Sequence, residues 1–224
     1  MALGGSVITN KSFTNASSIS IPNNGSASPY PSTITVSSLS GTVNSITVTL
    51  QGLTHNNPDD IDVLLVGPVG QMSMLISDCG GGGNVSGLVL TFDNNASQSL
   101  PDSLTLTSGT YLPTDFNTAS DAFASPAPAG PYSADLGVFN GTNPNGTWSL
   151  YIRDDLAGTS GSLAQGWTLS IATSNFVCCS SGGNTSDLAI ASHLKHRVRR
   201  LLLFRQTAIT LILRPCHQSL PANA

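Results

Sequence analysis

Glutamate is absent from this chain of 224 residues, and charged residues of any kind make up only 9% of it, against roughly a quarter in an average soluble domain. All twelve acidic residues are Asp, and before residue 190 the only Lys or Arg are Lys11 and Arg153. Long solvated helices draw on Glu and Lys, so helical bundles and coiled coils are excluded. Apolar runs are short as well: none approaches the roughly 18 residues that would span a bilayer. Met1-Ala2-Leu3-Gly4-Gly5 has neither a basic n-region nor an apolar h-region, so no export signal is visible there. Four cysteines, Cys79, Cys178, Cys179 and Cys216, have no zinc spacing. Three full pairings are formally open, adjacent Cys178 and Cys179 would form a strained ring with each other, and a Cys79 bridge to one of them would need an oxidising compartment.

What is present is Ser, Thr, Asn and Gly around short apolar segments. Residues 1–186 hold eleven Asp against two cations, a balance of −9, whereas residues 187–224 hold one Asp against six, a balance of +5. An acidic body disfavours a polyanionic partner such as nucleic acid. Segments 32–36, 43–50, 61–66, 72–76, 87–92, 104–107, 147–152 and 166–171 are rich in Val, Ile, Leu and Thr, and several alternate with period two, which predicts strands. Between them lie turn compositions such as Asn57-Pro58-Asp59-Asp60 and Asn143-Pro144-Asn145-Gly146. Many short strands without crossover helices predict an all-β, antiparallel two-sheet sandwich or jelly roll.

Two segments carry more than strand statistics. One runs from His55 through Asp59, Asp60 and Asp62 to Pro68 and Gly70. The other runs from Gly146 through Trp148, Leu150, Ile152, Asp154 and Asp155, and is followed by Gly161-Ser162-Leu163 and Trp167-Thr168-Leu169-Ser170-Ile171. In that order and spacing they resemble the proprotein convertase P domain, or P/Homo B domain, over about residues 13–172. The sequence departs from that family's pattern in Ile61 for Leu, Gly67 for Ser and one extra residue before Trp167. The resemblance implies a galactose-binding-like jelly-roll sandwich, usually beside a subtilisin-like serine protease domain or on exported bacterial proteins, and often calcium-dependent.

On their own terms, Trp148, Leu150 and Ile152 share one strand face, and Trp167, Leu169 and Ile171 another, so both Trp are expected in the core rather than as sugar platforms. Tyr30, Tyr111 and Tyr132 lie beside prolines, and turn packing is favoured over ligand contact for them. Asp59, Asp60 and Asp62 stand at the entry to one strand and Asp154 and Asp155 at the exit of another, which a sandwich can bring to one end. Calcium takes 6 to 8 oxygens; these five carboxylates are its candidate ligands, with Asn84, Asn143 or Asn145 and loop carbonyls making up the number. The competing reading is that they cap turns. Gly158-Thr159-Ser160-Gly161-Ser162 superficially matches a subtilisin-like nucleophile motif, yet His55 is the only histidine before residue 193 and no orienting Asp-Ser-Gly or Asp-Thr-Gly is present, so no catalytic residue is assigned. The run Gly80–Gly83 lacks the Lys and Ser or Thr of a P-loop.

Residues 173–190 are read as a linker, in which Ser186–Ile190 resembles the first strand of Ig-like surface repeats. Residues 191–224 are read as an irregular basic tail of non-native or out-of-frame character, the rival being a basic amphipathic helix on a membrane surface. The functional expectation is a non-catalytic structural, stabilising or adhesive module, extracellular or at the cell surface, aided by calcium and joined to a protease domain or to surface repeats of one parent protein. Its alternatives are an accessory domain of a subtilisin-like endopeptidase and a carbohydrate-binding jelly roll.

Overall fold

The computed structural model describes residues 5–116 and 121–177. These form two stacked mixed sheets. The first sheet contains β1 (Gly5–Asn15), β2 (Ile19–Ile21), β5 (Thr42–His55), β8 (Val85–Phe92), β9 (Gly109–Tyr111), β12 (Gly161–Leu163) and β13 (Trp167–Val177). Its hub is β5, whose Leu50 stands opposite both Trp167 of β13 and Leu90 of β8. The second sheet contains β3 (Gly25–Ser26), β4 (Ser32–Val36), β6 (Ile61–Val66), β7 (Met72–Ser77), β10 (Thr114–Asp115) and β11 (Gly146–Asp154).

Alternation builds the core. From the first sheet Ile46, Val48, Leu50, Trp167, Leu169 and Ile171 meet Ile61, Val63, Leu65, Trp148, Leu150 and Ile152 of the second, all buried. Both indoles are satisfied there: Trp148 Nε1 donates to Pro144 O at 2.9 Å, and Trp167 Nε1 to Ser32 Oγ at 3.0 Å. The two outer faces differ. On the first sheet it is a neutral ladder of hydroxyls, with Ser12 bonded to Ser170 and Thr14 to Thr168, each at 2.8 Å, and Thr49 to Thr91 at 3.0 Å. On the second sheet Leu64, Met74 and Tyr151 are covered by Phe123 and Tyr132 of the proline-rich segment 121–134.

The sandwich expected from the sequence is present, with corrections in its parts. Segment 104–107 is not a strand: Leu104 is 73% exposed, while Leu106 turns inward to plug the core beside Gly80. The strand in this region is Gly109–Tyr111, which runs parallel to β8, and Thr114–Asp115 likewise runs parallel to β7. The long connections after β8 and β7 allow such parallel pairs, which a tight hairpin cannot make. Residues 173–177, read as the start of a linker, continue β13, which pairs with β1 from Gly5 onward. That ribbon shows little hydrophobic alternation because residues 6–12 are exposed on both faces. The rest of the linker, the tail 191–224, Cys178, Cys179 and Cys216 lie outside the described residues.

Candidate functional site

Register brings the two Asp groups to one end of the sandwich, as the sequence implied: β11 lies antiparallel to β6 with Asp154 opposite Ile61 and Arg153 opposite Asp62. Ile61 faces the core, so Asp154 points inward with it, while Asp62 and Arg153 point outward. The aspartates therefore separate into an inner and an outer group.

The inner group is closed. His55, the last residue of β5 in the first sheet, reaches Asp154 of the second, with Nε2 3.1 Å from Asp154 Oδ2 and both side chains fully buried. The ring nitrogen is not aimed squarely at that oxygen, so the contact is an electrostatic one rather than a straight hydrogen bond. The other ring nitrogen, Nδ1, is 2.7 Å from Asn57 O. Burial raises the Asp154 carboxyl above the ordinary carboxylate range, opposed by the Leu156 N–H at 3.2 Å and by His55. Asp60, also buried, accepts from Asn57 Nδ2 at 2.7 Å and from Thr159 Oγ1 at 3.1 Å. Gly161 pairs with His55, and a Cβ there would collide with Thr54 O and the His55 ring. The histidine thus occupies the space that any side chain at 161 would need. Thr159 and Gly161, two members of the protease-like motif, are consumed by this packing, and Ser160 is exposed.

The outer group is under-filled. Ser77 Oγ, at the end of β7, lies 3.0 Å from Asp121 Oδ1 and 3.2 Å from Asp78 Oδ2. Asp62, 2% exposed, is pushed up to about 7 by burial, with Asp121 and Asp155 adding repulsion and Ser77 and Arg153 opposing it. Burial raises Asp78 and Asp121 as well, and Asp155 adds repulsion to each. Asp62 Oδ2 and Asp121 Oδ2 are buried oxygens that accept no hydrogen bond. The nearest cation, Arg153, places Nε 3.8 Å from Asp62 Oδ2 and donates from Nη1 to Ala122 O. Asp59, half-buried, accepts from the Gly81 N–H at 3.2 Å and ties down the glycine run. Asp155 is exposed.

The five sequence-read aspartates divide between the two faces: Asp60 accepts two internal hydrogen bonds and Asp154 lies against His55 and the Leu156 N–H, while Asp59, Asp62 and Asp155 share an electrostatic neighbourhood with Asp78 and Asp121, which sequence reasoning missed. Asn143 and Asn145 stand before the opposite end of β11, the latter about 30 Å from Asp154 at strand rise, where Asn145 clamps both backbone groups of Leu39. Among the described residues no three His, Cys, Asp or Glu side chains stand close enough to form a ready-made metal centre. As an inner set the residues do not fit calcium.

The three tyrosines pack rather than display themselves. Tyr30 donates to Ala124 O at 2.9 Å, Tyr132 to Pro128 O at 2.8 Å and Tyr111 to Thr107 O at 2.9 Å. A polar hollow of about 270 Å³ lined by Asn44, Asp93, Asn94 and Asn140 has no aromatic wall on which a sugar ring would stack. Gly67, where the P/Homo B pattern has Ser, faces Phe139 at 3.0 Å from where a Cβ would stand, and Phe139 in turn packs on Trp148 with ring centroids 5.0 Å apart. Among the described residues no helix is long and apolar enough to cross a membrane.

No protein-family model matches the chain, and no curated protein does. Among solved structures it is similar to a serine protease of Aeromonas sobria in complex with its chaperone, at 15% identity and a TM-score of 0.38 over 78% of this chain. It is also similar to the serine protease of Aeromonas sobria alone, at 14% identity and a TM-score of 0.36 over 77% of this chain. In both cases the match spans 28% of the protease chain.

Proposed function

We propose that this chain is a non-catalytic β-sandwich module of an exported protein, serving stability, spacing or adhesion outside the cell. The observation that carries the reading is the state of His55. Its ring is fully buried, with Nδ1 against Asn57 O and Nε2 against Asp154, so neither nitrogen is free to take a proton from a serine, as a nucleophilic mechanism requires. The alternative within the same resemblance is an accessory P/Homo B domain that folds against a subtilisin-like endopeptidase. In that case proteolysis belongs to the neighbouring domain and this chain contributes support. Its partner would be that protease domain, or surface-repeat domains of the same parent.

The test is incubation of the purified chain with casein and with basic-residue peptides, with and without calcium. No cleavage is expected. Cleavage that disappears in Ser160→Ala would overturn the reading.

A further inference from the structure

We infer that the open edge of β1 pairs with the same edge of a second copy of this chain, antiparallel and across a two-fold axis, so that the first sheets of two sandwiches run on as one. Strand β1 is the outermost of its sheet, paired with β13 along an unbroken register from Gly5 opposite Val177 to Asn15 opposite Trp167. Among the described residues no strand pairs with its other side. An edge strand turns half of its backbone N–H and C=O groups outward, and a long one is a template for another strand. Sheet proteins blunt such edges with short strands, proline, bulges or charge. This molecule does so elsewhere, where its other outermost strands, β2, β3, β4, β9 and β10, are two to five residues long. Strand β1 has eleven residues, no proline, no bulge against β13 and a single charge, Lys11.

What the edge offers fits a copy of itself. Asn15 closes one end by donating to Thr33 O at 2.9 Å and to Ser32 Oγ at 3.3 Å, which leaves residues 6–12 exposed. Val7 and Ile8 within that stretch are 49% and 47% exposed, on opposite faces of the strand. Residues directly opposite one another in an antiparallel pair share a face. A register centred on Ile8 therefore sets Ile8 against its own copy, Val7 against Thr9 and Lys11 against Gly5, so both apolar side chains gain cover and no like charges meet. Charge selects the same edge. Residues 1–186 carry a balance of −9, so two copies repel one another, yet β1, β4, β5 and β13 contain no Asp. Two acidic bodies approach at least cost along that side. A two-fold pairing of this kind closes on itself and leaves neither β1 edge open. The inference rests on this edge alone and stands or falls apart from the non-catalytic reading.

The experiment is sedimentation velocity of the full chain over a concentration series in reductant, with hydrogen exchange of the residue 6–12 amides. The wild-type chain is compared with Val7→Lys/Ile8→Lys, which places the charges that natural edges carry, and with Val69→Lys, which charges an exposed valine in the turn between β6 and β7; near-UV circular dichroism verifies that each is folded. A wild-type dimer is expected, its association weakened by about ten-fold or more in Val7→Lys/Ile8→Lys but unchanged in Val69→Lys, with the 6–12 amides exchanging faster on dilution. A dimer undiminished in folded Val7→Lys/Ile8→Lys would belong to another surface and overturn the inference. A wild-type monomer would overturn it too: protected 6–12 amides would then give the edge to another part of the same chain, and freely exchanging ones to a strand of a different protein.

Discussion

Asp60 and Asp62 are two residues apart in sequence and opposite in circumstance. Asp60 has both oxygens bonded, to Asn57 and Thr159, and belongs to an inner group that ties the ends of the two sheets together through His55 and Asp154. Asp62, on the outer face, has a buried oxygen with nothing bonded to it and like charges around it. The strand's alternation makes the difference, because it sends one carboxylate toward a prepared set of donors and the other toward carboxylates. Burial alone does not tell these two aspartates apart; the count of donors does.

The comparison breaks most visibly at the inner group. Asp154→Ala leaves the buried His55 ring facing an empty space, and a buried polar group deprived of its partner costs about 1–3 kcal/mol, to be read from urea unfolding in calcium and in EDTA alike. A cost that appears only with calcium would make the inner group a metal site. Gly161→Ala, which drives a methyl into Thr54 O and the His55 ring, should cost about 1–3 kcal/mol or more by overpacking. In the outer group the sign changes. Asp62→Asn should raise stability in EDTA at pH 8 by about 1 kcal/mol, since it removes a buried charge that Arg153, 3.8 Å away, only partly compensates.

The pH profile sharpens the same contrast. Asp62 is raised from 3.8 to about 7 in the folded chain, so between those values the folded state holds a proton that the unfolded state has released. Its contribution is fully present below about pH 4 and is lost as pH rises through about 7, and the raised Asp78 and Asp121 add the same sign. In EDTA the Tm should therefore fall by several degrees between pH 5 and pH 8. Smallest of all, Tyr30→Phe removes the bond to Ala124 O and should cost about 0.5–1.5 kcal/mol, read as a modest drop in urea midpoint at pH 7.

Much of this was legible in the sequence, and the remainder was hidden for identifiable reasons. Alternation in Trp148-Ser149-Leu150-Tyr151-Ile152 disclosed the inner face, and the positions of Asp59, Asp60, Asp62, Asp154 and Asp155 at strand ends disclosed a shared end of the sandwich. The split between the faces was available in principle, because Ile61 must point inward and so Asp62 outward. Ser77, Asp78 and Asp121 could not be gathered by any local motif: two close a strand and the third precedes a proline-rich segment 43 residues beyond Asp78, so only the folded backbone brings them together. Strand β1 escaped notice because exposure on both faces leaves residues 6–12 little pattern to show, and Leu106 was read as part of a strand because a single plugging side chain looks the same in sequence as half of an alternation.

Cys79 follows directly on Ser77 and Asp78. It is fully buried, with Sγ 3.1 Å from Ser77 O, and burial pushes its thiol up to about 12. At neutral pH such a sulfur is neither thiolate nor reachable, so an alkylating reagent can meet it only during excursions in which the end of β7 opens. The rate at which Cys79 is alkylated is then a clock for those excursions.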